Sequence, residues 1–276
     1  MRLSIIIPSR DRIVYLKETI KTALAIDSAD IEIIVSDNAS EDQTQNVLSD
    51  IKDIRFRYIN TENRISMRAN FEFALKHSTG DYIMFIGDDD GVLPNSLDYV
   101  NDIINETSCE AVVSHNAFYT WPETNGQPNK LYWSSKSGYE IRDSKEWIKK
   151  YLTFNMQYTF DLPGAYCGFV RRKVFDRVTK DGFFFRSPTP DAYSALAVAF
   201  ATEKYVYSHT AFAVHGSSAK SNGGSFLSKA KGKEGEESKS FLKENTIPFH
   251  KDIIFTKAFR VSSLEAYLQF SGTFPE

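Results

Sequence analysis

The sequence predicts an α/β fold with a mainly parallel central sheet flanked by helices, and three observations lead there. Short continuous apolar runs, LSIIIP (3–8), IEIIV (31–35) and YIMFI (82–86), read as strands buried on both faces. Segments with helical apolar spacing separate them through short connections, as right-handed strand–helix–strand crossovers require. Polar residues cluster just past three strand ends: Ser9-Arg10-Asp11, Asp37-Asn38 and Asp88-Asp89-Asp90. Ligands of open parallel sheets bind beyond the carboxyl ends of the strands, so these three ends mark one shared site.

Each element follows in order. Leu3–Pro8 is the first strand. Ile13, Leu16, Ile20, Ala23 and Leu24 set a helix over 12–25. Ile31–Val35 is the second strand, and Ser40 followed by Glu41 and Asp42 predicts an N-cap and a helix over 41–50. Arg55–Ile59 alternates as a third strand, and 67–77 is a helix stopped at Thr79-Gly80. Tyr82–Ile86 is the fourth strand, Pro94 opens a helix, and Ala111–Ser114 begins another strand.

Beyond residue 115 the pattern loosens. Residues 120–140 read as a long loop or small hairpin, 143–152 as a helix, 165–170 as a strand and 171–178 as a short helix. PDAYSALAVAFA (190–201) is a strong helix with Pro in its first turn, and 205–214 reads as one strand. HGSSAKSNGGS (215–225) has the composition of a mobile lid whose Lys220 could reach a diphosphate, and KAKGKEGEESK (229–239) is a charged surface segment. No internal repeat or interdomain linker interrupts the 276 residues, so one large domain, or one domain with an appendage, is expected.

Bulk composition narrows the function. Hydrophobic residues at 42% and charged residues at 25% exclude global disorder, and a net charge of −3 gives no basis for nucleic-acid binding. Cys109 and Cys167 lie outside any CxxC or Cys/His motif, so they read as buried free thiols in a reducing compartment. The first apolar run is too short for a signal peptide, and no run reaches the ~20 residues of a membrane span, so a cytoplasmic protein is expected.

Three adjacent carboxylates repel one another and need a counter-charge. A hard divalent cation such as Mg²⁺ or Mn²⁺ supplies one, bridging protein carboxylates and substrate phosphates. Standing alone, a DDD run is an acidic turn capping the next helix; after a buried strand and beside two other polar strand ends it reads as a site. Asp37 could accept from a base N–H or a ribose hydroxyl, or merely open a turn. Arg10, Arg64 and Arg68 lie near the same strand ends and could offset phosphate charge. The glycine patterns of dinucleotide-binding domains and P-loops are absent, as are GxSxG and HExxH.

IIIPSRDR, IIVSDNASED and GDYIMFIGDDDGVLP, in that order and spacing, resemble the nucleotide-sugar-binding half of a GT-A fold glycosyltransferase, most closely the inverting enzymes of family 2. The resemblance covers roughly residues 1–115 and implies that 116–276 form the acceptor-binding half and a C-terminal helical region of the same domain. It implies Pro8, Ser9 and Arg10 lining the nucleotide pocket, with Asp11 where many relatives carry Asn. It further implies Asp37 on the base and Arg64 or Arg68 facing the nucleotide. Within the run, one aspartate contacts ribose and a later one binds metal: Asp88 and Asp89 by plain alignment, Asp88 and Asp90 by a DxD reading. SPTPDAYSAL resembles the segment holding the catalytic base, which makes Asp191 the base. His215 stands where some GT-A enzymes place a further metal or diphosphate ligand.

The implied reaction moves a sugar from a nucleotide-diphosphate sugar, UDP-sugars favoured, with Mn²⁺ or Mg²⁺, to a glycan or lipid-linked acceptor hydroxyl in bacterial surface polysaccharide synthesis. The C-terminal stretch KDIIFTKAFRVSSLEAYLQF mixes apolar and basic residues. It suits packing on its own domain or on a sister subunit in a homodimer, or peripheral contact with the inner face of a membrane. Two rivals stand beside this reading. A sugar-phosphate nucleotidyltransferase would carry a GxGTR-like loop after the first strand, which IIIPSRDR lacks. A non-catalytic nucleotide-sugar-binding scaffold of the same fold is disfavoured by the intact acidic run and Asp191, and an activity measurement separates the two.

Overall fold

A computed structural model describes residues 1–124, 127–153, 155, 159–221, 243–254 and 258–274. The first half runs β1 (Leu3–Ser9), α1 (Ile13–Leu24), β2 (Ile31–Asp37), α2 (Thr44–Leu48), β3 (Phe56–Asn60), α3 (Met67–His77), β4 (Tyr82–Phe85), β5 (Gly91–Val92), α4 (Ser96–Thr107) and β6 (Ala111–Ser114). The second half runs β7 (Ala117–Thr120), β8 (Lys130–Tyr132), β9 (Tyr139–Asp143), α5 (Ser144–Leu152), β10 (Gly168–Arg171), α6 (Arg172–Arg177), α7 (Pro190–Ala201), β11 (Lys204–Ser208), β12 (Ala213–Ser217) and α8 (Phe259–Thr273).

Among the described residues, eight strands form the central sheet in the order β3-β2-β1-β4-β10-β6-β11-β9. β3, β2, β1 and β4 are mutually parallel, with Ser9 level with Asp37 and Asp37 level with Asn60. The polar strand ends therefore emerge side by side. β10 enters antiparallel between β4 and β6, and β9 closes the far edge antiparallel to β11. β5, β12, β7 and β8 form a smaller sheet.

The apolar runs are continuous because both faces of the sheet are covered. Ile6, Ile83, Phe85 and Val113 face a core with α3, α5, α6, α7 and α8, whereas Ile5, Ile7, Ile33, Met84 and Val112 face α1 and α4. Successive side chains alternate between the two faces, so every position of these runs but the half-buried Pro8 is buried. α7 is apolar almost all round and lies between the sheet and α8, whose Phe270 stacks on Phe200 with ring centroids 4.8 Å apart. Helix caps follow local chemistry: Ser66 accepts from the Ala69 amide to start α3, and Asp143 accepts from the Glu146 amide to start α5.

Two expectations of element bounds need correction, and one alternative is selected. The helix over 41–50 shrinks to α2, because Ser40 does not cap it: its hydroxyl donates to Asp37 and accepts from the Asp11 amide (2.9 Å). The strand over 205–214 is two strands in different sheets, since the chain bends after Ser208 to carry β12 beneath the acidic run. Residues 120–140 contain a hairpin arm, β8, paired with β7. The stretches 222–225 and 229–239 lie outside the described residues, as do 255–257. Among the described residues, no helix is long and apolar enough to cross a membrane.

Candidate active site

Three loops leave β1, β2 and β3 side by side, and each carries a non-glycine residue at positive φ: Asp11 (55°), Ala39 (50°) and Glu62 (60°). Aspartate and asparagine tolerate that region best, which suits Asp11. Side chains lace the loops together. Asp11 Oδ1 accepts from the Glu41 amide (2.7 Å), and Asn38 both donates to the Ile65 carbonyl (2.7 Å) and accepts from the Ile65 amide (2.9 Å).

The acidic run sits at the centre, with Asp88, Asp89 and Asp90 all buried. Its first counter-charge comes from the chain itself. The Arg12 guanidinium pairs with Asp88 Oδ1 and with Asp89 Oδ2, each at 2.8 Å. Ser9 donates to Asp88 Oδ2 (2.6 Å), and Ser218 and Ser221 both donate to Asp89 Oδ2 (2.6 Å each). Burial pushes Asp88 up to about 6 although Arg12 pulls against it. Burial acts the same way on Asp89, but Arg12 and the two serine hydroxyls outweigh it and hold that carboxyl below its usual range.

Asp90 faces a different neighbourhood. Its Oδ1 accepts from the Gly216 amide (2.7 Å), and its Oδ2 from the Gly87 amide and the Tyr166 hydroxyl (2.7 Å each). The Cys167 Sγ lies 3.7 Å from Oδ2, and His215 Nδ1 lies 3.6 Å from Oδ1. That imidazole nitrogen is buried without a hydrogen-bond partner. Burial and the adjacent Asp90 charge raise both the Tyr166 phenol and the Cys167 thiol, which remain protonated donors. β12 must pass very close here, since a Cβ on Gly216 would fall 1.7 Å from the Asp89 carbonyl oxygen; only glycine permits the approach. Trp121 seals the turn, its indole N–H donating to the same carbonyl (2.9 Å) while its ring packs edge-on to Tyr15.

Asp191 begins α7 and lines a small cavity with Ser114, Asn116, Phe160, Tyr166 and Cys167. Burial raises its pKa, opposed by backbone N–H groups of the first helical turn and by His215. The cavity thus joins Asp191 to the wall that holds Asp90.

The remaining sequence-predicted residues divide clearly. Asp37 is buried and its carboxylate is fully engaged, by the Ser40 hydroxyl and amide on Oδ1 and by Tyr58 (2.6 Å) and Asn60 (3.2 Å) on Oδ2. Pro8 lies in β1 level with Ser36. Arg10 and Arg64 converge on one carboxylate, Glu244, at 2.7 and 2.6 Å. Arg68 instead turns to the Phe185 carbonyl (3.0 Å) and the Phe183 ring. Asp89 faces Arg12 and the serines, while Asp90 and His215 face each other. Lys220 Nζ lies 3.5 Å from the Asp11 carbonyl.

Sequence reasoning missed Arg12, Ser218, Ser221, Tyr166 and Trp121. Only Arg12 left a signal, as a second arginine in PSRDR beside the first polar strand end.

Among the described residues, Asp90, Cys167 and His215 are the group whose ligand atoms lie close enough to hold one ion, all within 4.8 Å of one another. The buried, unpartnered His215 Nδ1 beside a carboxylate fits a divalent cation.

The chain is similar to several known proteins. It is 33% identical over 108 residues to GalNAc(5)-diNAcBac-PP-undecaprenol beta-1,3-glucosyltransferase of Campylobacter jejuni, covering 38% of this chain and 35% of that protein. It is 27% identical over 143 residues to abequosyltransferase RfbV of Salmonella typhimurium, covering 46% and 43%. The chain thus spans well under half the length of these curated relatives. S. aureus TarS 1-349, solved in complex with UDP-GlcNAc, superposes with a TM-score of 0.61 at 15% identity, over 88% of this chain and 72% of that one, which shows the GT-A fold. The family described as Glycosyl transferase family 2 matches residues 4–179, more than half of the sequence, and the chain belongs to that family.

Proposed function

We propose that the protein is an inverting glycosyltransferase that moves a sugar from a nucleotide-diphosphate sugar to an acceptor hydroxyl in bacterial surface glycan synthesis. The observation that carries the reading is the cavity joining Asp191 to Tyr166 and Cys167, both in contact with Asp90, whose acidic run ties to the first strand-end loop through Ser9 and Arg12. Pro8, Ser9, Arg10, Asp37, Arg64 and Asp88 line or border those loops and are the donor's nucleotide and ribose side. Arg68, turned toward Phe183 and Phe185, supports that wall from behind. Residues 1–115 supply the donor half and 116–276 the acceptor half.

Asp90 and His215 would hold Mn²⁺ or Mg²⁺, which stabilises the charge growing on the departing diphosphate. Arg12 keeps Asp88 and Asp89 fixed and compensated, so the run does not repel itself in the donor's absence. Asp191 accepts the proton of the acceptor hydroxyl, since an alcohol is a poor nucleophile until deprotonated. The backbone N–H groups at the helix N-terminus offset part of the burial that raises its pKa, so it ionises as a base only above that raised value. A UDP-sugar is the donor favoured by the fold neighbour solved with UDP-GlcNAc. A lipid-linked saccharide is the acceptor favoured by the Campylobacter relative, whose name places it on an undecaprenol-linked glycan. Such an acceptor would bring the protein to the inner face of the membrane.

Thermal-shift measurements against UDP-, GDP- and dTDP-sugars, with and without Mn²⁺, test this reading. Stabilisation by one nucleotide sugar, larger with Mn²⁺, is the expected result. Absence of stabilisation by any of them with Mn²⁺ present would contradict the donor assignment; stabilisation without sugar transfer in an activity assay would favour the scaffold reading.

A further inference from the structure

The cation site carries a ligand that hard-metal chemistry does not call for. Cys167 is buried, sits at φ 53°, and is held there from both sides. Its amide donates to the Phe85 carbonyl (2.7 Å), and Gly168 after it cannot take a Cβ, which would fall 2.2 Å from the Gly164 carbonyl oxygen. A left-handed backbone at a non-glycine residue is unfavourable and persists only where its surroundings impose it. Here it aims the thiol at Asp90 and into the cluster that also contains the unpartnered His215 Nδ1. The three ligand atoms come from three elements: the acidic turn, the approach to β10, and β12.

We propose that Cys167 is a third protein ligand of this site, making it a carboxylate–thiolate–imidazole site that takes a borderline cation of the Zn²⁺ class through all three side chains. It rests on the reading above only in assigning Asp90 and His215 to a metal. Mn²⁺ and Mg²⁺ prefer oxygen and would use Asp90 and His215 alone, whereas Zn²⁺ and Cd²⁺ bind thiolate sulfur strongly. On binding, the S–H bond is replaced by a metal–sulfur bond and the proton leaves to solvent; nothing is oxidised or reduced. Zn²⁺ therefore competes with Mn²⁺ at this site. Since Zn²⁺ exceeds Mn²⁺ in affinity at most nitrogen and oxygen sites, the diagnostic quantity is the part of that preference that depends on the sulfur.

The test uses the whole chain, stripped with chelator and titrated with Cd²⁺ while the ultraviolet thiolate-to-metal charge-transfer band is followed. The wild type and Cys109→Ser should both give the band, saturating at a single equivalent, and Zn²⁺ should bleach it. Cys167→Ser, nearly isosteric, should abolish it and lower Zn²⁺ affinity by at least the ~10–100-fold that loss of an outer-shell partner costs. Its Mn²⁺ affinity, read from free-ion electron paramagnetic resonance, should stay within about threefold, since a hard ion gains little from sulfur. His215→Asn should keep the band but weaken Cd²⁺ binding, which separates a ligand effect from misfolding. A wild type without the band, or a band that survives Cys167→Ser, overturns the proposal. Thermal stabilisation by nucleotide sugar with Mn²⁺, run on the same samples, keeps the two ideas apart. A band without stabilisation removes the proposed function and leaves the site, and stabilisation without a band removes the thiolate ligand alone.

Discussion

At the scale of single residues, Arg12 is the side chain that makes the adjacent carboxylates of Asp88 and Asp89 tolerable in a folded chain. Removing one partner from a buried ion pair strands the other charge, typically at a cost of about 3–5 kcal/mol. Arg12→Met should therefore lower the melting temperature markedly at pH 7. Burial already raises the Asp88 carboxyl with Arg12 present, and losing Arg12 raises it further. As pH falls the stranded carboxyl takes a proton and the penalty shrinks, so the deficit against wild type should narrow toward pH 5. A melting deficit independent of pH would contradict the ion-pair account. Asp191 gives the opposite test. Burial raises its pKa, so the ionised form opposes folding above that pKa and stability falls as pH rises from the ordinary carboxylate range through it. Asp191→Asn should then be as stable as wild type or slightly more so at pH 7, bind the donor, and lose transfer by ~10²–10⁴. In wild type, turnover should climb through the same raised pKa as the base ionises; unchanged turnover in the variant would dismiss the assignment. The acidic run was visible after a predicted strand, and Asp191 in the first turn of a predicted helix whose segment resembles that of the family's base. Ser218 and Tyr166 were not, because they reach the aspartates across 129 and 76 residues and nothing local marks a serine or tyrosine as a partner.

At the scale of elements, buried strands were the most legible feature because burial on both faces writes an unbroken apolar run. β5 was not, being two residues long and identified only by its pairing with β12. The sharp turn after Ser208 also escaped notice, since Tyr205–Val214 keeps an apolar pattern across it while the strands join different sheets. The segment holding Glu244 shows how a distant element can act on the site. Its carboxylate lies between Arg10 and Arg64, two cations on the proposed donor side. A donor phosphate would have to compete with it for the same guanidinium groups. Glu244→Gln removes the charge while keeping the shape, so nucleotide-sugar affinity measured by calorimetry should rise, on the order of the 0.2–1 kcal/mol typical of a partly exposed ion pair. Weaker binding in this variant would mean that Glu244 orients the arginines for the donor rather than competing with it.

At the scale of the whole molecule, the sequence reads as a regular first half followed by a looser second half, and a boundary near residue 115 looks natural. The sheet denies that boundary any independence in folding. β10, from the second half, lies between β4 and β6 and hydrogen-bonds to both. α7 and α8 cover the face that carries Ile6, Ile83 and Phe85. Ser218, Ser221 and Gly216 supply donors to Asp89 and Asp90. A chain ending at residue 115 would keep α3 but leave β4 with an open edge, β6 detached from it, the part of the sheet face under α5–α8 exposed to water, and two of the three aspartates short of partners. Burying apolar surface is worth roughly 25 cal/mol per Å², and a domain's net stability is only about 5–15 kcal/mol, so newly exposing roughly 200–600 Å² of apolar surface is enough to remove the margin. The fragment should show no cooperative thermal transition and no Mn²⁺-dependent stabilisation by nucleotide sugar, despite containing every donor-side residue named above. A cooperative transition in the fragment would show that the donor half folds alone and that β10 merely augments a sheet already complete.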